Sequence, residues 1–301
     1  MFPHKIGSAW EVHAPAKLNL YLDVLGSRAD GFHELETLLV PVRIYDQLLW
    51  NASPSATSGA SLRIRSFLQR GASETAPIDA GANNLVCRAA GRLAQASGIE
   101  PRGTFDLYKR IPVQAGLGGG SSDAAAALVL ANAAWGIGYS LRRLAELAEE
   151  VGSDVPFFLS GGAAVCRGRG ERVQPVAGLP PMHFVVVKPP ASLSTAAVFG
   201  EWKHIAASRG GLAMLIELLR GGALAQAGRR MVNRLEAAAA SLSPWIERIL
   251  GELAKQSLCG RLMTGSGSAC FGVARSARHA RRVAKLLSGK DLGGVFATSS
   301  C

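Results

Sequence analysis

Paired cysteines are missing from this sequence. Its five, Cys87, Cys166, Cys259, Cys270 and Cys301, are widely spaced and never form CxxC, which excludes a zinc knuckle or a disulfide framework and fits a reducing compartment. The six histidines include no HExxH pair, so no protein-built metal site is expected. No run of about twenty apolar residues occurs, and the opening MFPHKIGSAWEV has no apolar export core. A soluble, cytoplasmic protein without a membrane partner is therefore predicted. Aromatics are scarce at 6%, so the interior must be packed from small and aliphatic side chains.

Apolar residues make up 48% of the 301, enough to bury two cores, and we expect two domains, residues 1–174 and 175–301, joined near Gln174 to Met182. The formal charge of +11 points to anionic company. The densest basic groups, Arg278-Arg281-Arg282-Lys285 and Arg142-Arg143, fall in helical patterns that read as solvated faces. They carry no interleaved aromatics, so no nucleic-acid partner is expected.

Residues 10 to 25 alternate apolar and polar positions as a strand broken by Pro15, and LETLLVPVRIYDQLLW continues in extended character. NLVCRAAGRLAQASG reads as a helix ended by Gly98, and SLRRLAELAEEVG as one capped at Ser140. DVPFFLSGGAAVCRGRGERVQPV switches to strand and turn, HFVVVKP is an apolar strand, and helices are expected over Ser208–Leu219, Ala223–Glu236 and Pro244–Gln256. The turn MTGSGSACFGV, an amphipathic helix and a terminal strand GVFATSS complete the chain. This mixed order predicts an α+β fold with antiparallel sheets covered by helices.

IPVQAGLGGGSSDAAAA sets four glycines and two serines against a run of alanines. Glycine permits positive φ and close approach to bare amides, while a helix starting at once presents unpaired N–H groups and partial positive charge. Gly116, Leu117, Gly118, Gly119, Gly120, Ser121 and Ser122 thus make a phosphate cradle at the mouth of an Asp123–Trp135 helix whose start has Ser and Asp as caps. The loop is not GxxxxGK[ST], and no GxGxxG opens a helix here. It holds no lysine, so cationic charge over a γ-phosphate must come from Mg²⁺ or from a distant residue.

PAKLNLYLDVLGSRADGFHELETLL, PVQAGLGGGSSDAAAAL and TGSGSACFGV, in this order, resemble the three motifs of the GHMP kinase superfamily, and RADGFHELET, GSDVPFF, SLSTAAVF and NRLE narrow the likeness to its branch acting on a cytidine-diphosphate conjugate. The similarity runs from about Ala14 to the C-terminus. It implies a two-domain fold, with an N-terminal domain resembling the second domain of ribosomal protein S5, a C-terminal α/β-plait-like domain and the active site in the cleft between. The resemblance implies Asp154 as general base and Lys17 beside it as the catalytic pair. Asn19, one strand repeat from Lys17, faces the same side and suits orientation of a diol. Phe32 and His33 would recognise cytosine, with Phe199 as the opposite slice of the sandwich and Thr195 near the substrate.

Asn84, Lys109 and Pro112 match positions on the nucleotide side, and Ser121, Ser122 and Asp123 the phosphate end. ATP with Mg²⁺ is implied, the ion held mainly by phosphate oxygens and water. Gly265 to Ser268 form a third glycine turn, which in the superfamily packs on the phosphate loop. One departure stands out: the resembled branch usually has Asn-Asp before Leu-Glu, and here the pair is Asn233-Arg234. The expected reaction is phosphorylation of the 2-hydroxyl of a cytidine-diphosphate methylerythritol by ATP, in the non-mevalonate isoprenoid route, by a monomer or weak homodimer. The alternatives are a kinase for homoserine or mevalonate, or a non-catalytic nucleic-acid binder.

Overall fold

A computed structural model of the chain describes residues 1–53, 59–67, 78–203 and 211–301. The strands of the first half are β1 (His4–Ile6), β2 (Ala9–Ser27), β3 (His33–Ala52), β4 (Gly59–Ser66), β5 (Arg102–Lys109), β6 (Ala164–Gly168) and β7 (Arg172–Pro175). β2 and β3 form a long antiparallel ribbon. β3 divides its other edge, pairing with β5 through Gln47–Ala52 and with β6 through Leu35–Leu39. Pro15 does not break β2 as expected. The ribbon absorbs it in a register shift between Pro15 and Ala16, which re-aims the strand where Lys17 follows.

Helices α1 (Leu85–Ser97), α2 (Gly119–Ala134), α3 (Leu141–Val151) and α4 (Val155–Leu159) cover one face of this sheet. Asn84 caps α1 by accepting from the Val86 amide, Gly98 ends it at φ 70°, and Ser140 caps α3 through the Arg143 amide. α2 is apolar on every side, with Ser122 to Ala131 all buried between the sheet and the other helices. A helix buried all round must present small side chains for its neighbours to close on it, which is what the alanine run supplies. α2 begins earlier than the sequence suggested, at Gly119, with Gly118 rather than Ser or Asp at its cap. α4 was expected as strand and turn; Pro156 in its first turn, where a missing N–H costs nothing, starts a short helix instead.

The second half forms the sheet β10 (Gly260–Met263), β11 (Cys270–Ala274), β8 (His183–Lys188), β12 (Gly294–Ser299), in that order and antiparallel throughout. α8 (Glu236–Leu242), α9 (Pro244–Ala254) and α10 (Ala277–Ser288) pack on one face of it. Phe184, Val186 and Phe271 on its other face meet Leu18, Leu20, Leu38 and Val40 of the ribbon and Leu212 and Leu215 of α6 (Gly211–Arg220). The start of the helix expected over Ser208–Leu219 lies outside the described residues.

The single helix expected over Ala223–Glu236 is instead α7 (Leu224–Gly228), the short strand β9 (Val232–Asn233) and the start of α8. β9 pairs in parallel with Tyr21 and Leu22 of β2, and Arg234 N–H donates to Leu22 O at 2.9 Å. Tertiary pairing has overridden helix propensity there. Among the described residues no helix is long and apolar enough to cross a membrane.

Candidate active site

A cleft of about 1190 Å³ opens where the start of α2, the ribbon, the β6–β7 turn and the β10–β11 turn converge with α5 (Thr195–Glu201). The floor is made by close backbone approach. Gly116, at φ 72°, lies so near the third glycine turn that a Cβ on it would come within 2.1 Å of Thr264 O. A Cβ on Gly118, at φ 70°, would come within 2.9 Å of both the Lys17 stem and Phe158. Both positions therefore exclude any side chain, by conformation and by space. The Ala269 amide donates to Ala115 O at 3.1 Å and the Lys17 amide to Leu117 O at 2.9 Å, tying the glycine loop to its two neighbours.

The first helical bond of α2 runs from the Ser122 amide to Gly118 O, so the amides of Gly119, Gly120 and Ser121 have no intrahelical acceptor. Gly116 through Ser121 and Pro112 line the cleft. Ser122 and Asp123, expected at the phosphate end, turn away from it into the protein, and Asp123 meets Lys109 instead. Asn84, expected beside the nucleotide, does not line the cleft: its side chain is spent on the Val86 amide and on Asp79 O.

Lys17 and Asp154 come from separate segments and meet in this cleft, Nζ to Oδ2, at 3.8 Å. The lysine side chain is 4% exposed and the aspartate 37%. Burial pulls the Lys17 ammonium below the ordinary lysine range, against the opposing pull of Asp154 and a smaller one from Cys166. Its Nζ donates to Asn19 Oδ1 at 2.6 Å, while Asn19 Nδ2 donates to Thr37 Oγ1 at 2.9 Å. Thr264 closes this network, accepting from the Asn19 amide and donating to Asn19 Oδ1, both at 3.1 Å. Asn19 thus holds the ammonium rather than standing free in the cleft.

At the far end, Phe32, His33, Thr195 and Phe199 line the same cleft. Phe32 and Phe199, expected on opposite faces of a cytosine, each have a protein neighbour on one face. His33 stacks on Phe199, with centroids 4.7 Å apart and planes at 29°, and the Arg169 guanidinium covers Phe32 at 4.8 Å. Thr195 Oγ1 lies 2.9 Å from Ser266 Oγ of the third glycine turn. Among the described residues no group of three or more His, Cys, Asp and Glu side chains is placed to hold a metal ion.

Residues 84–162 match the model of the GHMP kinases N terminal domain and residues 215–289 that of the GHMP kinases C terminal. The chain is 41% identical over 272 residues to the 4-diphosphocytidyl-2-C-methyl-D-erythritol kinase of Pelotomaculum thermopropionicum, covering 90% of this chain and 91% of that one. It is 42% identical over 282 residues to the enzyme of the same name from a Polaromonas species, covering 90% and 87%. The chain belongs to the 4-diphosphocytidyl-2-C-methyl-D-erythritol kinase family of GHMP kinases. Its fold superposes on a crystal structure of 4-(cytidine 5'-diphospho)-2C-methyl-D-erythritol kinase with TM-score 0.78 and 36% identity, over 96% of this chain and 98% of that one. A homoserine kinase from Cytophaga hutchinsonii shares the fold alone, with TM-score 0.74 at 20% identity over 100% and 97%.

Several residues that shape the site of this GHMP kinase escaped the sequence reading. Arg169 sits in RGRGER, whose glycines marked only a turn. Asn233 donates from Nδ2 to Met263 O and Gly265 O, both at 2.8 Å, and accepts from the Leu235 amide at 2.9 Å, bracing the third glycine turn. Lys188 is a buried cation whose Nζ donates to Pro189 O at 2.7 Å and Ala191 O at 2.9 Å, fixing the segment that leads to Thr195 and Phe199. Burial brings its pKa down to about 8. A basic residue in an apolar strand carried no signal of this in sequence.

Proposed function

We propose that this chain transfers the γ-phosphoryl group of ATP to the 2-hydroxyl of 4-(cytidine 5'-diphospho)-2-C-methyl-D-erythritol, giving the 2-phosphate and ADP. The observation that carries the reading is the Lys17–Asp154 pair at 3.8 Å in one cleft with the glycine cradle. The free amides of Gly119 to Ser121 and the positive end of α2 suit the triphosphate. The absence of a side chain at Gly118 lets the loop pack directly on the Lys17 stem, which brings the cradle and that side chain together in one cleft. No His, Cys, Asp or Glu cluster among the described residues would hold a metal ion by itself, so Mg²⁺ would be held chiefly by the nucleotide, beside the cradle, and would supply charge neutralisation over the transferred group.

Asp154 accepts the proton of the acceptor hydroxyl as its oxygen bonds to phosphorus, and the bond from phosphorus to the departing ADP oxygen breaks in line, with no phosphoenzyme. Lys17 stabilises the developing charge on the attacking oxygen or the phosphoryl group. Its depressed basicity follows from burial, and Asn19 keeps the ammonium pointed at Asp154. Phe32, His33 and Phe199 offer ring faces to the cytosine, and Thr195 lies toward the acceptor. Acceptors without a base would leave those rings without a partner, which favours the cytidine conjugate over homoserine or mevalonate.

We further propose a boundary at 174/175, within the last residues of β7 and before the segment leading to β8, and a cytoplasmic enzyme acting on small molecules as a monomer or weak homodimer. Purified protein with ATP and Mg²⁺ is expected to release ADP with the cytidine-diphosphate methylerythritol and not with homoserine or mevalonate. Preferential turnover of either of the latter refutes the acceptor assignment.

A further inference from the structure

Beside the phosphate cradle lies a buried charge cluster that the transfer chemistry above does not use; it reaches the cleft only at Lys109, one of the residues expected on the nucleotide side. Asp46, at the middle of β3, is fully buried. Its Oδ1 accepts from two consecutive backbone amides, Arg110 at 2.5 Å and Ile111 at 2.8 Å, and its Oδ2 accepts from Lys109 Nζ. Lys109 Nζ donates again to Asp123 Oδ2 at 2.6 Å. The chain Asp46–Lys109–Asp123 thus links the central ribbon, the end of β5 and the first turns of α2.

The glycine loop leaves the sheet at Arg110 and Ile111 and enters the helix at Gly119. Asp46 anchors the first end directly, by its two amide bonds. It anchors the second through Lys109, whose ammonium would lie 3.2 Å from a Cβ on Gly119. A buried carboxylate with every oxygen engaged, bonded to rigid strand on one side and loop on the other, defines the position of that loop to a fraction of an ångström. Burial alone would lower the Lys109 pKa, yet its two carboxylate neighbours hold it above the ordinary lysine range, so the ammonium stays charged and in place.

We propose that Asp46 is a positioning residue for the donor site: by fixing Arg110, Ile111 and, through Lys109, the start of α2, it holds the cradle amides at the spacing a nucleotide triphosphate needs. The inference rests on the reading of that cradle as the ATP site. Asp46 does not line the cleft, and its effect falls on the donor side because Thr195 and Phe199 are carried by α5 while Phe32 and His33 lie at the start of β3, at the far end of the strand from Asp46.

The test is Asp46→Asn, which keeps the volume and one acceptor oxygen but turns an amide toward the Lys109 ammonium. Steady-state kinetics should give a KM for ATP raised about tenfold or more, with kcat at saturating ATP and KM for the acceptor both within about threefold of wild type. Calorimetric titration with ATP and Mg²⁺ should give a matching rise in Kd. If Asp46→Asn does not fold, Asp46→Ser, which removes the charge without setting an amide against the Lys109 ammonium and leaves Lys109 on Asp123, is read in the same way. An unchanged KM for ATP, or an equal loss on both substrates, overturns the positioning role while leaving the donor site in place. A wild-type protein that binds no ATP overturns the reading of the cradle and this inference with it.

Discussion

Lys17 is a charge taken out of water and left with one partly exposed carboxylate as its counter-ion, a costly arrangement that a surface lysine would not need. Asn19 holds it by a hydrogen bond and Thr264 in turn holds Asn19, so the network fixes the ammonium where it faces Asp154. The same physics explains the departure at position 234. Arg234 Nε donates to Asp23 Oδ1 at 3.2 Å, and Asp23 is buried on β2 with the Tyr21 hydroxyl on its other oxygen. The arginine neutralises an acid that this chain carries opposite it. Arg234→Asp, the residue usual in the resembled branch, should therefore cost about 3 kcal/mol of stability by facing two carboxylates in a buried site. Denaturant titration should show that loss, and Asp23→Asn in the same protein should recover much of it. An unaltered midpoint for Arg234→Asp would mean that Asp23 does not need its partner.

Helix α2 joins the alanine run, the glycine cap and the buried Asp123 into one element. Burial raises the Asp123 carboxyl to about 7, with Lys109 drawing it down and Asp46 pushing it further up. The folded protein then keeps on Asp123 a proton that the unfolded chain loses near the ordinary value of 3.8, so the stability this group contributes is full below that value and is lost as pH rises through about 7. Lowering the pH from 7.5 to 5.5 should accordingly favour the wild type over Asp123→Asn, whose side chain cannot take up a proton. Thermal melts of the two proteins at both pH values test this. Parallel shifts would assign the proton elsewhere.

Elements with local signals were legible in sequence: α1 and α3 by Asn84, Gly98 and Ser140, and the cradle by its glycines. α4 and β9 were not. One depends on where a proline falls in a first turn, the other on a parallel pairing with a strand some two hundred residues earlier, and neither leaves a periodic trace. The meeting of Lys17 and Asp154 was legible only through the ordered motifs, because no spacing in the chain reveals that residues 17 and 154 come together. Asp46 was invisible, and Asn233 stood out only as part of NRLE with no role attached, since a carboxylate or amide that bonds backbone looks like any polar residue until the fold is known.

The whole molecule carries a formal charge of +11 and presents its cleft to two substrates that are both polyanions. Such a field raises encounter rates and is screened by salt over about 10 Å at 0.1 M. kcat/KM for each substrate should fall as potassium chloride rises, with kcat at saturation little changed. A salt-independent kcat/KM would show that the positive charge does not steer them.

Phosphoryl transfer is proposed to depend on one pair of side chains, Lys17 and Asp154, brought together from two distant segments of the first half of the fold. Rapid-quench single turnover, with ATP, Mg²⁺ and the cytidine-diphosphate methylerythritol all bound, isolates that step from binding and release. Asp154→Asn should slow phosphoryl transfer by about 10²–10⁴-fold while the Kd of each substrate stays near the wild-type value. Transfer at the wild-type rate in that variant would contradict the account.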